Sequence, residues 1–441
     1  MLLFPIFRYT LLFIFSCIEL VVLAQKLPTN PEKAWFTEAK VGVFIHWTLD
    51  YTPKNNEDYS GITVDVKQEA AKFTAANFQP KEWAKHFKNW GVKYVIITVK
   101  GKEGFTLYDS PNSPLSAKNI SPAKRDLLKE FTEAMRAEGL KIGFQFSLPN
   151  YTIPSYHAVY KEYGNVKVDY MRWLEFTDNL TTELRYLLTN YGKIDILWFD
   201  GTEERPDGLW PKDEILKVVQ QTQPHVVINN RFKEGFGDYA TIKADEPQID
   251  SKNYKWWEFY FPLGFDWKGK GAQENIKPAY ELLRMFEDVT KLGGNMLINI
   301  NCDYEGNISE AQKQSLQEFG KWCNENAEAI YGTKTGLPPG LFNGSSTHKG
   351  NTLYLIAYEN SPNELVIKGL QSEITAITHL KTGKQLTFRE AADISHLNKR
   401  GWVYFKLPRE LEDSIATVLK ITFKGDKVII RAPSGELVEW K

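Results

Sequence analysis

From Val41 to about Ile330 the chain alternates between short, continuous apolar runs and longer stretches whose apolar residues recur every three to four positions. The short runs read as buried strands: Val41–Ile45, Tyr94–Val99, Ile142–Phe146, Ile194–Phe199, Val226–Ile228 and Met296–Ile300. Between them, Lys81–Trp90, Ala123–Glu138, Asp169–Tyr191, Lys212–Gln221 and Pro278–Lys291 carry the period of amphipathic helices. Strands apolar on both faces and separated by helices predict a parallel sheet covered on the outside. Two further strands are expected between Asp238 and Trp267, where the periodicity is weak. The fold class is therefore α/β. A (β/α)8-like barrel fits this length better than a doubly wound sheet, and no glycine-rich phosphate loop follows the first strand.

The texture changes beyond Thr333. Gly336-Leu337-Pro338-Pro339-Gly340 reads as a linker, and alternating runs at Thr352–Ala357, Glu364–Ile367, Val403–Leu407 and Val418–Phe423 predict a C-terminal antiparallel β-sandwich. The beginning of the chain differs again. Arg8 precedes an apolar run from Tyr9 to Ser16, and Val22-Leu23-Ala24 resembles a signal peptidase site before Gln25. Glu19 interrupts the run, which is short for a membrane span. The expected organisation is a signal peptide over 1–24, a catalytic barrel over 25–333 and a sandwich over 334–441. Such a protein is exported to a periplasmic or extracellular space, or to a lysosomal-type lumen in a eukaryote. It has no membrane association once the signal is removed.

Composition narrows the chemistry. A net charge of −1 gives no reason to expect a nucleic-acid partner. The 13 Trp and 21 Tyr suit the apolar faces of sugars as well as a protein core. Beyond the signal only Cys302 and Cys323 remain, open to one bridge or two buried thiols. No His/Cys cluster has ligand spacing, so no metal or cofactor is expected. The absence of Gly-x-Ser-x-Gly leaves an esterase without an evident nucleophile.

In a barrel of this kind chemistry sits where strands end. His46-Trp47 follows the first strand, and Lys100-Gly101-Lys102-Glu103-Gly104 the second. Asp200-Gly201 follows Leu197-Trp198-Phe199, Asn229-Asn230-Arg231 follows Val226–Ile228, and Asn299 and Asn301 close the last. Each has an ordinary structural reading, such as a core histidine or an Asp-Gly turn. Gathered on one rim, they point to glycoside hydrolysis, which needs two carboxylates.

Longer motifs carry a resemblance to a known family. Trp35-Phe36, Lys40–Trp47, Phe78–Ala84, Gly91–Val95, Gly104–Ser110, Lys124–Leu127, Asn190-Tyr191-Gly192, Leu197–Gly201, Asn229-Asn230-Arg231 and Gly293–Asn299 follow one another in the order found in the α-L-fucosidases. The chain thus resembles glycoside hydrolase family 29 over about Trp35 to Gly332. The resemblance implies a barrel followed by a sandwich, and a retaining exo-glycosidase acting on terminal α-L-fucosyl or related, substituted sugars of a carbohydrate partner. It makes Asp200 the nucleophile, places His46 and Arg231 on the sugar, and sets Trp198 beside the nucleophile. Trp47, Glu57 and Lys102 complete the expected substrate contacts.

The departures matter as much. Where the family has Lys-His-His-Asp-Gly-Phe, this chain has Lys100-Gly101-Lys102-Glu103-Gly104-Phe105, and Glu57-Asp58-Tyr59 replaces Glu-Trp-Tyr. The acid/base falls on Lys243 without a gap and on Glu246 with a short insertion. Glu246 is preferred, with Glu258 the runner-up and Asp245 a further candidate. Gly101 is expected to leave space. Lys102 either selects a sulfated or carboxylated sugar or turns outward to Glu103 and solvent. The alternative function is a catalytically weak or inactive carbohydrate-binding descendant.

Overall fold

The computed structural model describes residues 30–50, 64–162, 165–232, 235–243, 255–267, 274–358, 364–394 and 399–440. The expected signal segment and the candidates Glu57, Asp245 and Glu246 lie outside the described residues.

Runs rich in Val, Ile and Phe form strands buried on both faces. They are β1 (Val41–His46), β2 (Tyr94–Lys100), β3 (Lys141–Ser147), β4 (Ile196–Asp200), β5 (Val227–Ile228), β6 (Ala240–Lys243), β7 (Trp257–Pro262) and β8 (Asn295–Asn301). They form one eight-stranded sheet in the order β5-β4-β3-β2-β1-β8-β7-β6, and every pairing is parallel. β6 and β7 are the two strands expected between Asp238 and Trp267. The sheet curls until a single parallel bridge, Asn229 to Tyr239, joins its edge strands. Side chains reinforce this seam. Asp238 accepts from Ile228 N at 2.9 Å, and Asn230 Oδ1 accepts from Thr241 N at 3.1 Å.

The covering helices include Pro80–Asn89, Leu127–Ala137, Tyr170–Asn190, Lys212–Thr222 and Ala279–Lys291, close to their expected ranges. Asp126 and Asp169 cap two of them by accepting from Lys129 N and Arg172 N. Glu310–Glu325 is a further helix, capped by Ser309 and burying Leu316, Phe319 and Trp322.

After the barrel come antiparallel sheets of six and three strands, which enclose a second core containing Leu353, Leu355, Ile367, Val403, Leu419 and Ile421. Trp322 Nε1 donates to Ala416 O at 2.7 Å and ties them to the barrel. Cys302 and Cys323 are buried free thiols, the second of the two states left open by the sequence. Among the described residues no helix is long and apolar enough to cross a membrane.

Candidate active site

Asp200 is the last residue of β4, on the end of the sheet where the βα loops begin. The backbone of Phe199, just before it, is held from the residue after β5. The buried side chain of Asn229 accepts from Phe199 N at 3.0 Å and donates to Phe199 O at 3.0 Å. Gly201 then turns the chain with φ 80°, and a Cβ there would run into Pro149, so this position requires glycine. The Asp-Gly pair is a turn that also presents a carboxylate at the rim.

Trp198 lies two residues before Asp200 and so shares its face of the strand. The Arg231 guanidinium sits 5.2 Å from the Trp198 ring centroid. Arg231 is fixed through its backbone, whose carbonyl accepts from Thr202 Oγ1. Its Nε and Nη2 are buried and meet no hydrogen-bond acceptor among the described residues. Buried donors of this kind favour a ligand rich in acceptor oxygens. At the end of β1, His46 stacks on Phe44 and lies in register with Asn301 of β8.

The two lysines after β2 have different fates. Lys100 is buried, with Nζ 3.0 Å from Glu183 Oε2, and Tyr108 OH donates to the other oxygen at 2.5 Å. Lys102 crosses to the loop after β4. Its Nζ is 2.9 Å from Glu204 Oε1 and 3.5 Å from Glu203 Oε1. Burial works against this ammonium, but the charges of Asp200, Glu204 and Glu203 outweigh it and hold its pKa above the ordinary lysine value. Gly101 leaves no empty space: the Glu103 carboxylate, which accepts from Thr48 Oγ1, occupies the volume that a Cβ at 101 would enter. That corrects the expectation of room at this position, and Lys102 pairs with Glu203 and Glu204 rather than with Glu103.

Two expected contacts fall elsewhere. Trp47 is 1 % exposed, donates from Nε1 to Asp303 O and packs on Phe73, Phe78 and Trp83. It is a core residue, because alternation sends the neighbour of His46 to the opposite face. Glu258 is 0 % exposed and lies near the start of β7, paired in register with Asn295 at the start of β8. That is the opposite end of the barrel from Asp200, which corrects its standing as runner-up for the acid/base. It accepts from Trp198 Nε1 at 2.9 Å, Thr241 Oγ1 at 3.0 Å and Tyr94 OH at 3.1 Å. Burial raises its carboxyl to about 7, against the pull of these hydrogen bonds.

Glu204 was not singled out by the sequence reading. It accepts from Tyr151 OH at 2.6 Å and Tyr156 OH at 2.7 Å, and it anchors Lys102. The available signal was the acidic pair Glu203-Glu204 directly after Asp200-Gly201.

A near-closed parallel barrel with an aspartate, an arginine and a tryptophan at its active rim, continued by antiparallel sheets, defines the class: a glycoside hydrolase. The model of the alpha-L-fucosidase family matches residues 23–328. The chain is 30% identical over 385 residues to the tissue alpha-L-fucosidases of Macaca fascicularis and Homo sapiens, with 80% of each chain covered. In fold it is similar to alpha-L-fucosidase isoenzyme 1 from Paenibacillus thiaminolyticus, with a TM-score of 0.75, 27% identity and coverage of 90% of this chain and 99% of that one. The Thermotoga maritima alpha-fucosidase in complex with fucose gives a TM-score of 0.66 at 25% identity, covering 91% of this chain and 98% of that one. The chain belongs to the alpha-L-fucosidase family, glycoside hydrolase family 29.

Proposed function

We propose that this protein is an exported, retaining exo-glycosidase that removes terminal α-L-fucosyl or closely related residues from glycans. The observation that carries the reading is Arg231, with buried Nε and Nη2 lacking an acceptor among the described residues, on the same rim as Asp200. In this reading Asp200 attacks the anomeric carbon while Glu246 gives a proton to the departing oxygen. Glu246 then takes a proton from the water that opens the glycosyl-enzyme, so configuration is retained. The two carboxylates of such an enzyme stand about 5–5.5 Å apart. Glu246 is preferred because, with a short insertion after Gly237-Asp238-Tyr239, it takes the place of the glutamate in the family motif. His46 and Arg231 hold sugar hydroxyls, the buried Trp198 ring backs the floor of the site beside Asp200, and Glu57 is retained as a further contact. Export rests on the Arg8, apolar-run and Ala24 pattern.

The surroundings of Lys102 favour an uncharged sugar. A sulfate or carboxylate brought to it would also meet Asp200, Glu203 and Glu204. The second reading, an inactive carbohydrate-binding descendant, draws on the Glu103 carboxylate standing against Gly101 where relatives are expected to carry imidazole. Proton NMR of an aryl α-L-fucoside digest separates the possibilities. The proposal expects the α-anomer of fucose as first product. The β-anomer first would overturn it, and binding without turnover would establish the second reading.

A further inference from the structure

One indole supports both residues assigned to the sugar. Trp198 is 2 % exposed, and its ring meets Phe44 and Tyr260 edge to face, each with centroids 5.4 Å apart. Phe44 in turn stacks on His46 at 5.9 Å, and the Arg231 guanidinium stands 5.2 Å from the Trp198 ring centroid. Arg231 therefore leans on this ring directly, and His46 leans on it through Phe44. Neighbouring rings constrain an indole by shape, but they do not decide where its N–H lies. A buried N–H needs an acceptor, and Trp198 Nε1 donates to Glu258 Oε1 at 2.9 Å. That acceptor is itself fixed. Thr241 Oγ1 of β6 donates to the same oxygen at 3.0 Å, and Tyr94 OH of β2 donates to the other at 3.1 Å.

We propose that Glu258 is a positioning residue for the sugar site: by holding the indole N–H of Trp198 from the opposite end of the barrel, it sets the ring against which Arg231 and the Phe44–His46 stack are aimed. The inference rests on the reading that Arg231 and His46 hold the sugar. Glu258 is fully buried, so its effect is relayed by one hydrogen bond and the ring contacts above it. Contacts to sugar hydroxyls serve bound substrate and transition state alike, so losing their alignment should raise KM and spare kcat.

The test is the kinetics of Glu258→Leu and Glu258→Gln on an aryl α-L-fucoside, with thermal melts and with Glu258→Leu repeated in a Trp198→Phe background. Glu258→Leu leaves the indole without its acceptor and should raise KM about tenfold, with kcat within about twofold of wild type. Glu258→Gln keeps an uncharged, weaker acceptor and should raise KM only about two- to threefold. Trp198→Phe already lacks the N–H, so adding Glu258→Leu should raise KM no further. Thr241→Val cuts a different bond to Glu258 and should lower the melting temperature while leaving KM near wild type. The indole N–H resonance of Trp198, identified by its loss in Trp198→Phe, should move upfield in Glu258→Gln. If Glu258→Leu does not fold, that shift and the KM of Glu258→Gln decide the matter, and the absence of both would overturn the inference. Unchanged KM in a folded Glu258→Leu, a fall in kcat alone, or a full further loss in the Trp198→Phe background would also overturn it, leaving the proposed function standing. A wild-type protein that does not turn over the fucoside would instead overturn the proposed function, and this inference with it.

Discussion

Asp200 and Glu258 both belong to strands of one barrel, Asp200 as the last residue of β4 and Glu258 as the second residue of β7. At the lower end Glu258 is fully enclosed, and donors from Trp198, Thr241 and Tyr94 converge on it. At the upper end Asp200 is partly open, and Arg231 on the same rim has buried Nε and Nη2 atoms with no acceptor among the described residues. A carboxylate whose partners are all supplied by the protein holds structure together. One at a strand's exit, among groups still wanting partners, is available for chemistry. Trp198 joins the two ends: its indole N–H is held from below by Glu258, and its ring face lies beside Arg231 above.

The comparison breaks first at the proposed nucleophile. Asp200→Asn should lower kcat on an aryl fucoside by about four orders of magnitude, as loss of a covalent catalytic group does, with an unchanged melting temperature. Retained turnover would mean that the rim carboxylate is not the reacting one. Next in size, Glu246→Ala should cost about 10²–10⁴-fold on a natural disaccharide, whose leaving group needs a proton. A fucoside with a good leaving group should be far less affected. Equal losses on both substrates would remove Glu246 from the acid/base role. Arg231→Met should lower kcat/KM by about 10- to 100-fold, the equivalent of about 1.5–3 kcal/mol for charge-assisted hydrogen bonds. A change in thermal stability without that loss would move Arg231 to a structural role.

The smallest effect concerns Glu258. Its carboxyl ionises near 4.5 when unfolded and at about 7 when folded. Between those values the folded state holds the extra proton, so this residue's contribution to stability falls as pH rises through the window and levels off above it. Glu258→Gln keeps the shape and removes the titration. Urea midpoints below and above the window should therefore move in favour of Glu258→Gln as pH rises. A constant difference across the window would contradict the buried, protonatable carboxyl.

Most of the barrel was legible because six of its strands are dominated by apolar runs, with polar residues such as Thr98, Gln145 and Asn299 occurring singly. β6 and β7 were expected in number but not in their limits, for physical reasons. Ala240-Thr241-Ile242-Lys243 is short and half polar, and Trp257–Pro262 carries an interior glutamate and ends in proline. The same obscurity misled the reading of Glu258, since a strand whose limits are hidden gives no sign of which end a residue occupies. Asp200 and Arg231 stood out because each follows an unmistakable apolar run. Trp47 was misread by adjacency to His46, where one step along the chain reverses the face. The Glu103 carboxylate folding back against Gly101 had no sequence signal, because such a contact depends on the course of the loop rather than on the residues it contains.

The central claim is that Asp200, alone among the carboxylates at this rim, forms the bond to the sugar. Incubation with a 2-deoxy-2-fluorofucosyl fluoride, followed by proteolysis and mass spectrometry, tests it directly. The account expects one fluorofucosyl adduct per chain, on the peptide containing Asp200, and none in Asp200→Asn. An adduct on Glu203, Glu204 or Glu246, or no adduct in an enzyme that turns over fucosides, would contradict it.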